Sequence, residues 1–198
     1  MKHCATILCV LGLATVALAQ QPLDPVKESE LRAAGPAHDY VLEGPRSDTY
    51  SGTISTASPV WNRIYGCDVS PACAAICSDS GVDGQYYEVI PIEVTAAENL
   101  ECEVTEFQGT AGDSTIQVYC DPFDPMQPLV NVVAYDDDDG VDFLSAFVAA
   151  DGVLLQPGQI YYLVFSPFDQ GEVGDFTIEF TSATVHVVPV ELQSINVE

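Results

Sequence analysis

QIYYLVFSPFDQGEVGDFTIEFT, residues 159–181, holds two strand signals of different kinds with a turn between them. Ile160 to Phe165 is an unbroken run, apolar on both faces. Phe176, Ile178 and Phe180 alternate with Thr177, Glu179 and Thr181, the period of two expected of a strand with one buried face. Gly171 to Gly174 supplies the turn residues that separate them.

The same texture extends outward in both directions. Leu100, Cys102 and Val104 alternate with Glu101, Glu103 and Thr105. Ser114 to Cys120 places Ile116 and Val118 on one side, Gln117 and Tyr119 on the other. Gln85 to Thr95 reads as a strand with Ile90, Ile92 and Val94 on one face. Pro91 inside it predicts an edge position or a bulge, because proline has no N–H for a ladder. Leu129–Tyr135, Phe143–Ala150 and Thr184–Val190 complete the set of expected strands. Turn signals such as Asp121-Pro122, Asp139-Gly140 and Gln156-Pro157-Gly158 fall between them. Many short strands at this spacing, with no amphipathic helical window, predict an all-β protein, a jelly-roll-like antiparallel β-sandwich.

The chain has 198 residues, 30 Asp plus Glu and 5 Lys plus Arg, a formal net charge of −25, yet 47% of it is hydrophobic. It can therefore bury a core, unlike a disordered acidic tail. The charge excludes a phosphate-neutralising patch, so no nucleic acid is expected. It fits divalent cations or basic partners.

Met1 to Ala19 has the form of a cleaved secretory signal: a short basic start, an apolar run from residue 5, and Ala17-Leu18-Ala19 before the expected cut. That run is short for a membrane span, which needs about 20 apolar residues, and no later segment is long and apolar enough. Losing Lys2 leaves 30 acids against 4 bases, or −26, with no Lys or Arg beyond Arg63. The expected organisation is a signal at 1–19, a leader at 20–47, a sandwich with a cysteine-bearing first segment at 48–182, and a terminal strand and linker at 183–198. Secretion to the extracellular space or cell surface is the expected location.

Outside the cytosol, disulfides are the default for Cys67, Cys73, Cys77, Cys102 and Cys120. Cys102 and Cys120 both lie on the apolar side of a strand. They pair if their strands are neighbours, or pack as buried thiols if not. Cys67, Cys73 and Cys77 suggest a stapled loop with one cysteine left over. Their C-x5-C-x3-C spacing is not a usual zinc pattern. Trp61, the one tryptophan, is expected in the core.

Residues 86–181 resemble the pre-peptidase C-terminal domain superfamily of secreted bacterial proteins. The resemblance rests on Tyr86-Tyr87-Glu88-Val89, on Gly112-Asp113 leading into Ile116-Gln117-Val118-Tyr119, and on the acidic turn after Asn131–Tyr135. It also rests on Leu155-Gln156-Pro157-Gly158-Gln159-Ile160-Tyr161-Tyr162 followed by Gly174-Asp175-Phe176. It implies a non-catalytic jelly-roll module that accompanies peptidases or surface proteins, some relatives of which bind calcium and polymers such as collagen. The cysteine-bearing segment before Tyr86 has no counterpart in it.

Asp136, Asp137, Asp138, Asp139 and Asp142 crowd into seven residues around Gly140. Five carboxylates so close repel one another unless they are solvated, protonated or bridged, and calcium takes about 6–8 oxygen ligands. Aligned on Gly140, the loop puts Tyr135 and Ala146 where an EF-hand needs carboxylates, so it is not one. With Asp113, these residues are the candidate calcium ligands. A solvated acidic turn is the alternative. No G-x-S-x-G or H-E-x-x-H motif is present, so no enzyme is expected. The expected function is a secreted, non-catalytic module that binds extracellular protein or polysaccharide, with calcium as a stabiliser. The alternatives are an accessory domain of a secreted hydrolase system and a cryptic carbohydrate-active enzyme.

Overall fold

The computed structural model of the chain describes residues 48–188. The expected signal, leader and terminal linker beyond residue 188 lie outside them. In chain order the strands are β1 (Asp48–Ile54), β2 (Val60–Tyr65), β3 (Ser78–Tyr86), β4 (Glu88–Val94), β5 (Glu98–Asn99), β6 (Cys102–Phe107) and β7 (Ser114–Cys120). They continue with β8 (Val132–Asp136), β9 (Ala146–Phe147), β10 (Leu154–Leu155), β11 (Ile160–Pro167), β12 (Gly174–Phe180) and β13 (Val185–Val187). Apart from one 3-10 turn at Ala149–Asp151, the described residues form strands and loops.

All pairings are antiparallel. Four strands in the order β1-β12-β6-β9 form one sheet, and five in the order β13-β4-β11-β7-β8 form the other. The alternating residues meet in one core: Cys102, Val104, Phe176, Ile178 and Phe180 from the first sheet, Ile90, Ile92, Ile116, Val118, Leu163 and Phe165 from the second. The chain is thus an all-β antiparallel sandwich. Phe165 stacks on Phe176 across it, ring centroids 3.8 Å apart. Gly52 lies opposite Phe176 in register, and a Cβ there would meet the ring at 2.6 Å. The register between β6 and β12 slips at Thr177/Ile178. One residue of β6 is therefore unmatched, Thr105 and Glu106 both face solvent, and Phe107 turns inward.

The double-sided apolar character of β11 has its cause in a third layer. Hairpin β2–β3 and the cysteine loop beside it place Trp61, Ile64 and Ala75 against Tyr119 of β7, Val164 of β11 and Tyr87. We call this layer the cap. Every residue of β7 is consequently buried. Trp61 packs in a ring of aromatic contacts with Tyr87, Tyr119 and Phe123, at centroid distances of 5.3, 6.3 and 5.8 Å. Ser70 N and Ala75 N donate to Val133 O and Val132 O, which ties the cap loop to β8.

Several expectations are corrected. Cys102 does not pair with Cys120: Cys120 is bonded to Cys73 of the cap loop, Cys67 to Cys77, and Cys102 is a free, buried thiol. Strands β6 and β7 follow one another in sequence but belong to opposite sheets. Facing sheets stand about 10 Å apart, beyond disulfide reach. The cysteine left over is thus Cys102, outside the Cys67–Cys77 loop. Burial pushes its pKa up to about 12, so it is unreactive.

Pro91 is not on an edge, since β4 lies between β13 and β11. Its carbonyl accepts from Val188 N at 2.9 Å. In an antiparallel strand a residue's N–H and C=O point to the same side, so the missing N–H faces the spot where β13 has ended. β13 itself, expected beyond the sandwich, joins the five-stranded sheet. Of Phe143–Ala150, only Ala146 and Phe147 pair as a strand.

Candidate cation site

Strands β7 and β8 are antiparallel neighbours, with Ile116 opposite Asp136. The start of β7 therefore lies beside the end of β8, and Asp113 comes next to Asp137 and Asp138. Gly112, at φ +67°, makes the turn that delivers Asp113. Carboxylate oxygens of Asp113, Asp137 and Asp138 all lie within 4.8 Å of one another. The end of β11 reaches the same corner, where Phe168 N donates to Asp113 O at 3.0 Å.

The electrostatics follow from this crowding. Burial, then the charges of Asp137, Asp138 and Asp169, raise the Asp113 pKa to about 6, while Arg63 opposes the rise. Burial and Asp138 raise Asp137, against the Tyr135 hydroxyl and Arg63. Oδ1 of Asp113 and Oδ1 of Asp137 are both shielded from solvent without a hydrogen-bond donor. Orphaned carboxylate oxygens in a corner of like charge suit a hard cation, and oxygen donors of this kind suit calcium. Three carboxylates supply part of its coordination shell, and carbonyls or water would supply the rest.

The remaining candidates have other places. Asp136 is a turn-former: its Oδ2 accepts from Ala146 N at 2.8 Å and Asp139 N at 3.3 Å. Burial nonetheless raises its pKa to about 6. Asp139 lines a different cleft of about 290 Å³ with Glu101, Glu103 and Glu179. Asp142 is exposed and sits in the left-handed region at φ +61°.

Three residues at the corner were not singled out as part of it: Arg63, Asp169 and Tyr135. Arg63, the one Lys or Arg among the described residues, is only 3% exposed. Its Nη1 donates to the Tyr135 hydroxyl at 3.0 Å, and its guanidinium lies 4.5 Å from the Phe168 ring centroid. The absence of any other Lys or Arg after Arg46 was the available signal. At the far end, His186, the one described histidine, has its Nδ1 3.2 Å from Asp48 Oδ2.

No protein-family model matches the chain, and no curated protein or solved structure matches it either. Among the described residues no helix is long and apolar enough to cross a membrane.

Proposed function

We propose that the chain is a secreted, non-catalytic β-sandwich module for extracellular binding, of the jelly-roll kind the pre-peptidase C-terminal resemblance implies. It carries a calcium site at Asp113, Asp137 and Asp138. The observation that carries this reading is the pair of shielded, donor-less oxygens on Asp113 and Asp137 within a three-carboxylate group. A shielded carboxylate oxygen without a donor is costly, and a bound divalent cation removes that cost. Two disulfides are compatible with an oxidising compartment, as the signal-like first nineteen residues lead one to expect.

Thermal unfolding in about 5 mM calcium and in chelator tests the site. A cation bound only by the native state raises Tm by mass action. The rise should vanish in Asp138→Asn, a change at an exposed position that leaves the core alone. Equal Tm values in calcium and chelator would overturn the cation site.

A further inference from the structure

Each of the two large sheets ends on two edge strands: β1 and β9 in one, β13 and β8 in the other. An open edge is a row of unpaired N–H and C=O groups that invites another strand, and folded proteins usually blunt it. Three of these edges are blunted. The cap loop bonds to β8, with Ser70 N and Ala75 N donating to Val133 O and Val132 O. β9 is two residues long, and the carboxylates of Asp136 and Asp151 accept from Ala146 N and, just past the strand, from Val148 N. β13 is three residues long, and Asp48 Oδ2 accepts from Val187 N.

β1 is the exception. It runs seven residues without proline, lysine or a register slip against β12. Its open side follows from the bonds of β12. Gln108 N donates to Asp175 O and Thr181 N to Glu101 O, so the odd-numbered residues of β12 face β6 and the even-numbered ones face β1. Their partners in β1 are Asp48, Tyr50, Gly52 and Ile54. The N–H and C=O groups of Thr49, Ser51 and Thr53 therefore point away from the sheet, and among the described residues none of them has a hydrogen-bond partner. Their side chains do not fold over the edge either. The Ser51 and Thr53 hydroxyls turn back to Thr177 and Asp175 of β12.

We propose that β1 pairs with β1 of a second copy of this chain, antiparallel about a two-fold axis at Ser51, joining two four-stranded sheets into one.

The inference goes beyond the binding-module reading and does not depend on the cation site. Self-complementarity favours a copy over a foreign strand. The two-fold sets Ser51 opposite Ser51 and Thr49 opposite Thr53 of the second copy. These are the residues whose main-chain groups are free, so each pair exchanges both of its bonds. Hydroxyl side chains facing one another across antiparallel strands add to the pairing. An isologous contact of this kind closes at two copies.

Charge agrees with the choice of edge. The chain carries −25, yet no charged side chain lies between Thr49 and Asn62. In the proposed register the nearest facing carboxylates are Asp175, beside Thr53, and Glu179 of the second copy, beside its Thr49. Three strand spacings separate them, about 14 Å, beyond the Debye length of about 8 Å at physiological salt. A contact of seven residues is smaller than a standard interface of about 1,200–2,000 Å². The dimer is accordingly weak, concentration-dependent and strengthened by salt, whereas binding to a basic partner would weaken with salt.

Sedimentation equilibrium of the disulfide-bonded protein from about 10 μM to 1 mM, at two salt concentrations, tests the proposal together with amide hydrogen exchange. The expected result is a monomer–dimer equilibrium, the same in calcium and in chelator, with exchange at Thr49, Ser51 and Thr53 slowing as concentration rises. Ser51→Pro removes the central N–H from the open side and should weaken the dimer more than about tenfold. Ser51→Glu places two carboxylates opposite each other at an exposed position and should weaken it about fivefold, so a folding defect in the proline variant would not shield the proposal. A monomer at every concentration overturns the inference. So does a dimer that both variants leave unchanged, because another surface then carries it. Slow exchange at the three amides in the dilute monomer also overturns it, because another part of the same chain then covers the edge. Growth beyond the dimer overturns the two-fold.

Discussion

Cys73 of the cap loop is bonded to Cys120 at the end of β7, their Cα atoms 5.8 Å apart, so the cap is covalently fixed to an interior strand of the sheet it covers. The bond spans 47 residues of sequence, and the shorter Cys67–Cys77 bond spans 10. Closing such loops in the unfolded chain is worth about 2–4 kcal/mol each. Cys73→Ser with Cys120→Ser, which removes one bond, should lower stability by that amount, and reduction, which cuts both, by more. Trp61 lies between cap and sheet, so its emission should shift to the red before the sandwich unfolds. A single transition, with fluorescence and circular dichroism coincident, would show that the cap does not loosen separately.

Stability should fall as pH rises through 6 when calcium is absent. Asp113 and Asp136 both have pKa values raised to about 6 in the folded state, against about 3.9 in the unfolded chain. Below about pH 4 both states are protonated and these groups impose no charge penalty. Between pH 4 and 6 the folded state holds more protons, so the advantage it has at low pH is lost as pH climbs through the folded value. Chelator-treated protein should therefore melt at a higher temperature near pH 5 than near pH 7. Asp113→Asn should flatten the profile. Added sodium chloride should raise the pH 7 value by screening, and calcium should raise it further.

Glu103 and Glu179 stand opposite each other in the β6–β12 register, with Glu101 and Asp139 in the same cleft. Like charges placed this way oppose pairing by about 0.2–1 kcal/mol. Glu179→Lys should stabilise the sheet by a similar amount at low salt, and the gain should shrink at high salt. Urea unfolding of the two proteins at two ionic strengths measures both effects.

Gly52→Ala tests the core from its edge. A Cβ at 2.6 Å from the Phe176 ring forces that ring off its stack on Phe165. Overpacking of this kind costs about 1–3 kcal/mol. Thermal unfolding and the near-ultraviolet aromatic signal should both register it. Unchanged Tm would show that the ring moves aside freely.

The sandwich was legible because period-two alternation reports directly which face of a strand is buried. Phe176, Ile178 and Phe180 went inward as read, and so did Cys102 and Val104. The cap was not legible. β3 is Ser-Asp-Ser-Gly-Val-Asp-Gly-Gln-Tyr, without an apolar period, and its register with β2 slips around Asn62. Its one trace in the sequence was indirect: a strand apolar on both faces, Ile160–Phe165, needs a cover on each. The cysteine pairing failed for the related reason that neighbours in sequence were assigned to one sheet. Asp137 and Asp138 were legible from the crowded Asp136–Asp142 turn, and Asp113 from the Gly-Asp start of its strand. That Asp113 meets Asp137 and Asp138, and that Asp136 does not, depends on the β7–β8 register and the direction of each side chain. Arg63 enters only through the cap, across tertiary contacts that no local pattern records.

The complete burial of β7 has a consequence for how the chain finds its alignment. A strand with one wet face resists a one-residue slip, because slipping turns its apolar side chains toward water. β7 has no wet face, so a slip exposes nothing to water; what opposes it is that Thr115 and Gln117 would turn into the core that Ile116 and Val118 now fill. Specific pins add to that. Ser114 is bonded to Ser145 through its hydroxyl, its carbonyl and the Ser145 N–H, and Cys120 is bonded to Cys73. These fasten the strand at its two ends. Should both be cut, the alignment of β7 rests on the division between its apolar and its polar dry face alone, a difference in kind of side chain that total buried area would not reveal.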